Sequence, residues 1–347
     1  MLTEKEIYEV RTHLEKAQNP LFYFDNDQDG LCSYLILRRF YNKGNGVPVK
    51  NSPLGTEYFR RIEEFNPDYI FILDQPTVSN EFFELVKERN IPIVWIDHHE
   101  IDIKIIPKEI NYYNTLVSSG KNEPVTKLCY EIATKKQDLW ILIMGCISDK
   151  FLPEEYGEFL KEYPDLAIDS EDPFKIFYGS GIGQISRLLG VGLKDRTSLV
   201  VRMMRFLINV KTPYEVLEET SENSSMHLRF NLVNSKLEKF TKKAKDEFPL
   251  KNLVFFRYSG EISMSADLAN KISYELPGKF VVVAFLKSSR VNISVRGKDA
   301  KTIVQKAIQG IDLATFGGHQ DAVGVQMDKE QLDTFEKNLN SVLNRKN

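Results

Sequence analysis

Apolar and polar positions along this chain follow two periods. Leu21-Phe22-Tyr23-Phe24, Tyr69 to Leu73 and Ile93-Val94-Trp95-Ile96 are short continuous apolar runs, and each ends directly in an aspartate: Asp25, Asp74 and Asp97. A longer apolar stretch from Leu139 to Ile147 leads to Asp149. Helix-period segments separate these runs, beginning with Glu4 to Lys16, and Pro48, Pro53, Pro67 and Pro92 mark connections. The pattern predicts parallel strands of an α/β domain with carboxylates at their C-terminal ends, where open sheets place their sites.

The second half reads differently. Glu154 to Asp172 holds eight acidic residues against the single base Lys161, which suggests a solvated insertion. Gly179-Ser180-Gly181-Ile182-Gly183 suggests a flexible junction, and Gln184 to Lys245 is helical in pattern. Val233, Leu237, Phe240, Ala244 and Phe248 keep helical spacing there, while Lys236, Lys239 and Lys243 share another face, either solvated or a nucleic-acid track. Beyond Pro249, strands are expected at Leu253 to Tyr258, Phe280 to Leu286 and Val291 to Val295, with helices around Ser265 to Tyr274 and Ala300 to Gln309. The expected architecture is therefore two α/β domains, 1–180 with a parallel sheet and a smaller one at 249–347, joined by a helical connector, 181–248.

Composition narrows the class. At 347 residues the chain exceeds a typical single domain, and its 42% apolar and 27% charged residues are ordinary for a soluble globular protein. No apolar run approaches the ~18–20 residues of a membrane span, and Met1 to Glu6 lacks a signal-peptide core. Cys32, Cys129 and Cys146 form no C-x-x-C pair, so neither a zinc knuckle nor a disulfide framework is indicated, and a reducing cytoplasm is the expected location. A net charge of −3 argues against coating nucleic acid by charge alone. It does not exclude a nuclease, because bound cations bring their own positive charge to a phosphate.

The candidate chemistry is concentrated in the first 150 residues. Asp25, Asp27 and Asp29 alternate after a strand, so an extended segment would point all three to one side, and Gly30 would permit the turn into the next helix. Unpaired carboxylates so arranged repel one another without cations. Oxygen-rich surroundings suit Mg²⁺ or Mn²⁺, and an added imidazole favours Mn²⁺. A calcium loop would need a bidentate glutamate at its end, and none follows. His98 and His99 follow Asp97 at a strand end, whereas His13 and His227 suit structural or solvated roles. Cys32 reads as a packing residue, and Ser33 as support for a helix N-terminus. Five carboxylates and a histidine pair at one sheet edge can hold two divalent cations, which makes a metal-dependent phosphoesterase the leading expectation.

Asp25-Asn26-Asp27-Gln28-Asp29-Gly30, Asp74, Asp97-His98-His99 and Asp149 resemble, in order, the four motifs of the DHH phosphoesterase superfamily. Phe316-Gly317-Gly318-His319-Gln320-Asp321-Ala322-Val323-Gly324 resembles the glycine-histidine signature of the associated DHHA1 domain, and the motif forms are most similar to the RecJ-like exonucleases, archaeal type. The resemblance implies two metal ions, Mn²⁺ preferred and Mg²⁺ possible. One would be held by Asp27 with Asp25, the other by Asp29, His98 and Asp149, and Asp74 would bridge them. It further implies that His99 faces the substrate phosphate, that Asp97 orients the imidazoles, and that Ser294, Arg296, Gly317, Gly318 and His319 grip the nucleotide end.

The implied activity is an exonuclease on single-stranded DNA or RNA, with a replication or repair protein as a possible partner and no membrane. A phosphodiesterase of short oligoribonucleotides, cyclic dinucleotides or 3′-phosphoadenosine compounds is the alternative, and a partner-bound scaffold is the alternative from another class.

Overall fold

The computed structural model describes residues 1–50, 52–248 and 252–344, with the side chain of His319 outside that description. The chain divides into two compact units, Met1–Phe230 and Asn231–Asn347. The expected boundary at 249 lies outside the described residues.

In the first unit, β1 (Pro20–Asp25), β2 (Asn45–Val49), β3 (Tyr69–Leu73), β4 (Ile93–Asp97) and β5 (Asn111–Asn114) form one sheet in the order β2-β1-β3-β4-β5. All four pairings are parallel. The central strands are apolar at successive positions because helices cover both faces. Leu21, Tyr23, Ile70, Ile72 and Trp95 pack to one side with Phe82, Phe83 and Val86 of the helix Asn80–Glu88. The alternate residues Phe22 and Phe24 meet Tyr34 of the helix Gln28–Tyr41, with ring centroids 5.6 and 5.2 Å away. The order reverses between β1 and β3, so a topological switch point lies at their C-terminal ends.

Three expectations fail locally. Leu139 to Ile147 is a fully buried helix, Leu139–Ser148, rather than a strand. A nine-residue apolar run buried on every side satisfies either period, so hydrophobicity alone does not distinguish them. Glu154 to Asp172 is no detached insertion: Tyr156, Phe159 and Leu166 are buried, and the Tyr156 hydroxyl donates to Ile168 O at 2.8 Å. Glu155 from this segment pairs with the buried Lys127. Nor is Gly179–Gly183 a loose junction, because Ser180 caps the helix Gly181–Leu193 directly after the helix Pro173–Gly179. A Cβ on Gly183 would lie 2.2 Å from Phe177 O, so the glycine permits a tight corner.

The helix Ser224–Glu247 crosses the division between units. Val233, Leu237 and Ala244 are buried along it, and Phe240 packs against Phe256 and Tyr258, while Lys239 and Lys243 are exposed. The second unit carries β6 (Leu253–Ser259), β7 (Phe280–Lys287), β8 (Arg290–Arg296), β9 (Thr315–His319) and β10 (Ala322–Asp328) in the order β6-β7-β8-β10-β9. Only β6 and β7 pair in parallel among these strands. Among the described residues, no helix is long and apolar enough to cross a membrane.

Candidate metal centre

The switch point gathers every carboxylate expected in the first unit. Asp25 closes β1, but the residues after it are not an extended segment. Asp27 is the N-cap of the helix Gln28–Tyr41 and accepts from Gly30 N at 3.0 Å. Asp29 lies in the first turn, fully buried, and accepts Val125 N and Thr126 N at 2.8 Å each from the start of the helix Val125–Ala133. Two N–H groups of a helix end, without partners inside the helix, thus hold one carboxylate. Gly30 is inside the helix, and a Cβ there would lie 2.4 Å from Asp25 O, so its need is close approach rather than a turn.

Asp74 follows β3 in a left-handed conformation, φ 58°, with its N–H donating to Ile96 O at 3.0 Å. Its side chain is buried, and its Oδ1 has no hydrogen-bond donor among the described residues. Asp97 ends β4, fully buried, and its Oδ1 lies 2.8 Å from His99 Nδ1. His98 turns the other way, with Nδ1 2.7 Å from Asn122 Oδ1. An amide oxygen only accepts, so Nδ1 carries a proton, and in the neutral ring Nε2 presents its lone pair. That Nε2 lies 3.3 Å from Asp74 Oδ1 and 3.5 Å from Asp149 Oδ2. Asp149 arrives from the C-terminal end of the helix Leu139–Ser148.

Three sets of candidate donor atoms result, each set lying within 4.8 Å of one another: Asp25, Asp27 and Asp74; Asp29, His98 and Asp149; Asp74, His98 and His99. Burial and the Asp27 charge push Asp25 up to about 7. Burial, reinforced by the neighbouring aspartates, raises Asp74 and Asp149 well above the usual carboxylate range. Burial also raises Asp29, against the pull of His98. At His99 burial opposes the charged ring, yet the Asp97 hydrogen bond prevails and raises its pKa. An acceptor nitrogen facing acceptor oxygens, beside a buried oxygen with no donor, fits hard divalent cations bound among them.

Several supporting residues were not apparent from the sequence pattern. Gln75, fully buried, donates to Asp25 Oδ1 at 3.2 Å, and its own carbonyl accepts from Trp95 Nε1 at 3.1 Å. Tyr112 OH donates to Asp97 Oδ2 at 3.4 Å, and Asn114 donates to His99 O at 2.9 Å. Asn114 ends β5 at the same sheet edge, a positional clue, but Asn122 carries none. Ser33 does not support a helix start: it is buried mid-helix, 3.4 Å from Thr126 Oγ1. Cys32 is buried, and burial pushes its thiol well up, so it packs. His227 is also structural, with Nε2 2.9 Å from Val216 O.

In the second unit, Ser294, Gly317 and Gly324 line an open concavity of about 400 Å³ on the sheet face, and Ser294 Oγ donates to Ser265 Oγ at 3.0 Å. Arg296 is tied within its own unit, donating to Asn270 Oδ1 at 2.6 Å and to Val295 O at 2.8 Å. Gly318 adopts φ 132°, where a Cβ would lie 2.4 Å from Ala322 O in the paired strand β10. Gly317 and Gly318 therefore belong to a strand rather than a turn, and His319 ends it, its side chain outside the described residues.

Residues 21–147 match the DHH family, N-terminal domain. No curated protein matches the sequence. Among solved structures, the fold is similar to RecJ in complex with Mn²⁺ from Thermus thermophilus, with a TM-score of 0.69 and 15% identity over 99% of this chain and 56% of that one. The chain thus spans little more than half the length of that relative. It is also similar to an exonuclease RecJ bound to manganese, with a TM-score of 0.66 and 14% identity over 98% and 94% of the two chains. A pGpG-specific phosphodiesterase, PggH from Vibrio cholerae, gives a TM-score of 0.53 and 15% identity over 94% and 99%.

Proposed function

We propose that this chain, which carries a DHH-family N-terminal domain on a RecJ-like fold, is a phosphodiester hydrolase dependent on two divalent cations that shortens single-stranded DNA or RNA from an end. The observation that carries this reading is the pair of donor sets, Asp25-Asp27-Asp74 and Asp29-His98-Asp149, meeting at one sheet edge. On this reading the first set, which includes Asp74, would hold one cation and the second set the other. Two such cations, Mn²⁺ or Mg²⁺, would polarise the phosphoryl group and lower the pKa of the attacking water. Asp97 fixes the His99 ring through Nδ1, which leaves Nε2 for a phosphoryl oxygen. Asn122 and Gln75 hold His98 and Asp25 in position. Ser294, Arg296, Gly317, Gly318 and His319 form the nucleotide-end subsite of the second unit.

The exposed lysines on the helix Ser224–Glu247 support a polymer substrate. The net charge of −3 and the likeness to a pGpG-specific phosphodiesterase favour a second reading, turnover of very short oligonucleotides. A scaffold without catalysis accords poorly with a complete set of donors. Product analysis with Mn²⁺ tests all three, using end-labelled single-stranded DNA, matching RNA and a dinucleotide, with Asp29→Ala and His98→Ala as controls. Stepwise shortening of long strands, lost in both variants, supports the exonuclease, and the label position gives its polarity. Cleavage of the dinucleotide alone moves the assignment to small-nucleotide turnover. Inactivity on all three, with no cation binding, overturns catalysis.

A further inference from the structure

Asn114 ends β5 beside the residue that ends β4: the parallel register pairs Asp97 with Asn114 and Trp95 with Tyr112. Residues two apart on a strand share a face, so these four side chains form one patch at the sheet edge. Asp97 and Asn114 are both buried. The Trp95 and Tyr112 rings meet edge to face, with centroids 4.9 Å apart, which holds the phenol in place. Asn114 uses its whole amide here. Its Oδ1 accepts from Leu116 N at 2.8 Å and caps the helix Thr115–Ser118. Its Nδ2 donates to His99 O at 2.9 Å and to Tyr112 OH at 2.7 Å. The Tyr112 hydroxyl in turn donates to Asp97 Oδ2, whose partner oxygen Oδ1 lies 2.8 Å from His99 Nδ1. Burial and the Asp97 charge raise the Tyr112 pKa, so the hydroxyl keeps the proton that it donates.

A helix cap requires an oxygen alone, and serine or aspartate serves as well as asparagine. What the amide adds is a pair of donated hydrogens, and both go to groups that bear on the Asp97-His98-His99 turn. A carboxylate in this place would set an anion against His99 O and beside Asp97, and a serine is too short to reach both acceptors. The turn has a strict requirement. His98 and His99 direct Nδ1 to different partners, Asn122 and Asp97, while their ring centroids stay 4.5 Å apart. Adjacent residues face apart in this way while the backbone through them keeps one conformation, and His99 O is where Asn114 holds that backbone. The other end of β5 supplies a contrast. Asn111 Nδ2 also donates to a carbonyl of β4, Ile93 O at 3.1 Å, but at the end of the strand away from the metal centre.

We propose that Asn114 is a positioning residue which, through His99 O and Tyr112, sets the His98-His99 turn and the Asp97 carboxylate as one unit. The proposal rests on the reading of this centre as a two-cation phosphodiesterase, and it adds a residue that stands outside the three donor sets. Its effect passes through the side chains it holds rather than through contact with the reacting atoms.

Variants of the full chain separate this role from capping. Asn114→Ser keeps a capping oxygen, Tyr112→Phe keeps the ring against Trp95, and a third variant combines the two. Asn111→Ser removes the comparable bond at the far end of β5. Asn114→Ser is expected to retain the wild-type circular dichroism and to lower kcat about ten- to a hundredfold with KM unchanged. In isothermal titration it is expected to bind one Mn²⁺ about tenfold more weakly. Tyr112→Phe is expected to show a smaller loss of the same kind, because its bond to Asp97 is long at 3.4 Å. The combined variant is expected to fall no further than Asn114→Ser alone, since groups acting as one unit do not add. Asn111→Ser is expected to alter neither kcat nor Mn²⁺ affinity. Wild-type kcat and Mn²⁺ affinity in Asn114→Ser overturn the proposal, as do additive losses in the combined variant or equal losses in Asn111→Ser. Should Asn114→Ser fail to fold, Tyr112→Phe decides, and wild-type values there overturn the proposal. If the wild type binds Mn²⁺ yet hydrolyses no phosphodiester, the catalytic reading fails, and the Mn²⁺ titration of Asn114→Ser by itself decides the positioning role.

Discussion

His99 Nδ1 sits 2.8 Å from Asp97 Oδ1, two residues earlier on the same strand end, and the carboxylate is wholly removed from solvent. A buried carboxylate beside an imidazole fixes ring orientation and strengthens the ring's basicity. Asp97→Asn keeps the shape and removes the charge. We expect it to lower turnover by about ten- to a hundredfold and to shift the alkaline limb of the pH–rate profile downward, because the protonated ring is the form that donates to a phosphoryl oxygen. An unchanged profile in a kinetic titration would show that Asp97 only fills space.

Asp74 contributes donor atoms to two of the three sets and has a buried oxygen without a donor among the described residues. Mn²⁺ is expected to raise the melting temperature of the wild-type protein, because a ligand stabilises the state that binds it, and Asp74→Asn is expected to abolish that rise. Differential scanning calorimetry with and without Mn²⁺ reads this directly. A wild-type-sized rise in the variant would remove Asp74 from the cation site.

Stability without cations should run against the usual trend with pH. Asp25 is pushed from 3.8 to about 7 in the folded chain, chiefly by burial. A carboxyl raised on folding stabilises the fold below its unfolded pKa, and that stabilisation is lost as pH climbs through the folded value. Protein in EDTA is thus expected to melt at a lower temperature at about pH 8 than at about pH 5, and Mn²⁺ to raise the melting point more at the higher pH. A flat profile in EDTA would mean that the carboxylates are not crowded in solution.

Gly30 has no room for a side chain, since a Cβ would meet Asp25 O at 2.4 Å and Asp25 N at 2.7 Å. These are backbone atoms, so neither can rotate away. Gly30→Ala is expected to cost about 1–3 kcal/mol by overpacking and to disturb Asp25 with it. Urea denaturation measures the loss, and a variant as stable as wild type would mean that the Asp25 backbone moves aside freely.

Gln75 joins the centre to the sheet through Asp25 and Trp95. Gln75→Leu removes the donor to Asp25 with little change of volume. Its expected effect is weaker binding of a single cation, by about tenfold or more, with the second unaffected. Isothermal titration with Mn²⁺ separates the two, and two unchanged sites would leave Gln75 a packing residue.

The sequence carried most of this centre because its donors stand where strands end. Continuous apolar runs before Asp25, Asp74 and Asp97 are what buried parallel strands require, and those three aspartates lie at the ends of β1, β3 and β4. Asp149 was legible as a residue but not by its element, since a wholly buried helix and a buried strand share the same apolar composition. The acidic stretch misled for a related reason: its charges outnumber Tyr156, Phe159 and Leu166, yet those three settle where it packs. Asn122 and Gln75 were invisible because their importance lies in a partner distant in the chain, and neither type of residue announces such a bond.

The adjacency of β1 and β3 has one more consequence. Phe24 pairs with Leu73, so the residues that follow, Asp25 and Asp74, leave neighbouring strands at the same level. Neighbouring strands are spaced about 4.8 Å apart by their backbone ladder, so these two carboxylates of one donor set start from a separation fixed by the sheet. The ladder therefore works as a gauge, set by peptide geometry and indifferent to side-chain identity elsewhere. Loops and inserts can be exchanged around it without resetting the spacing of those two donors.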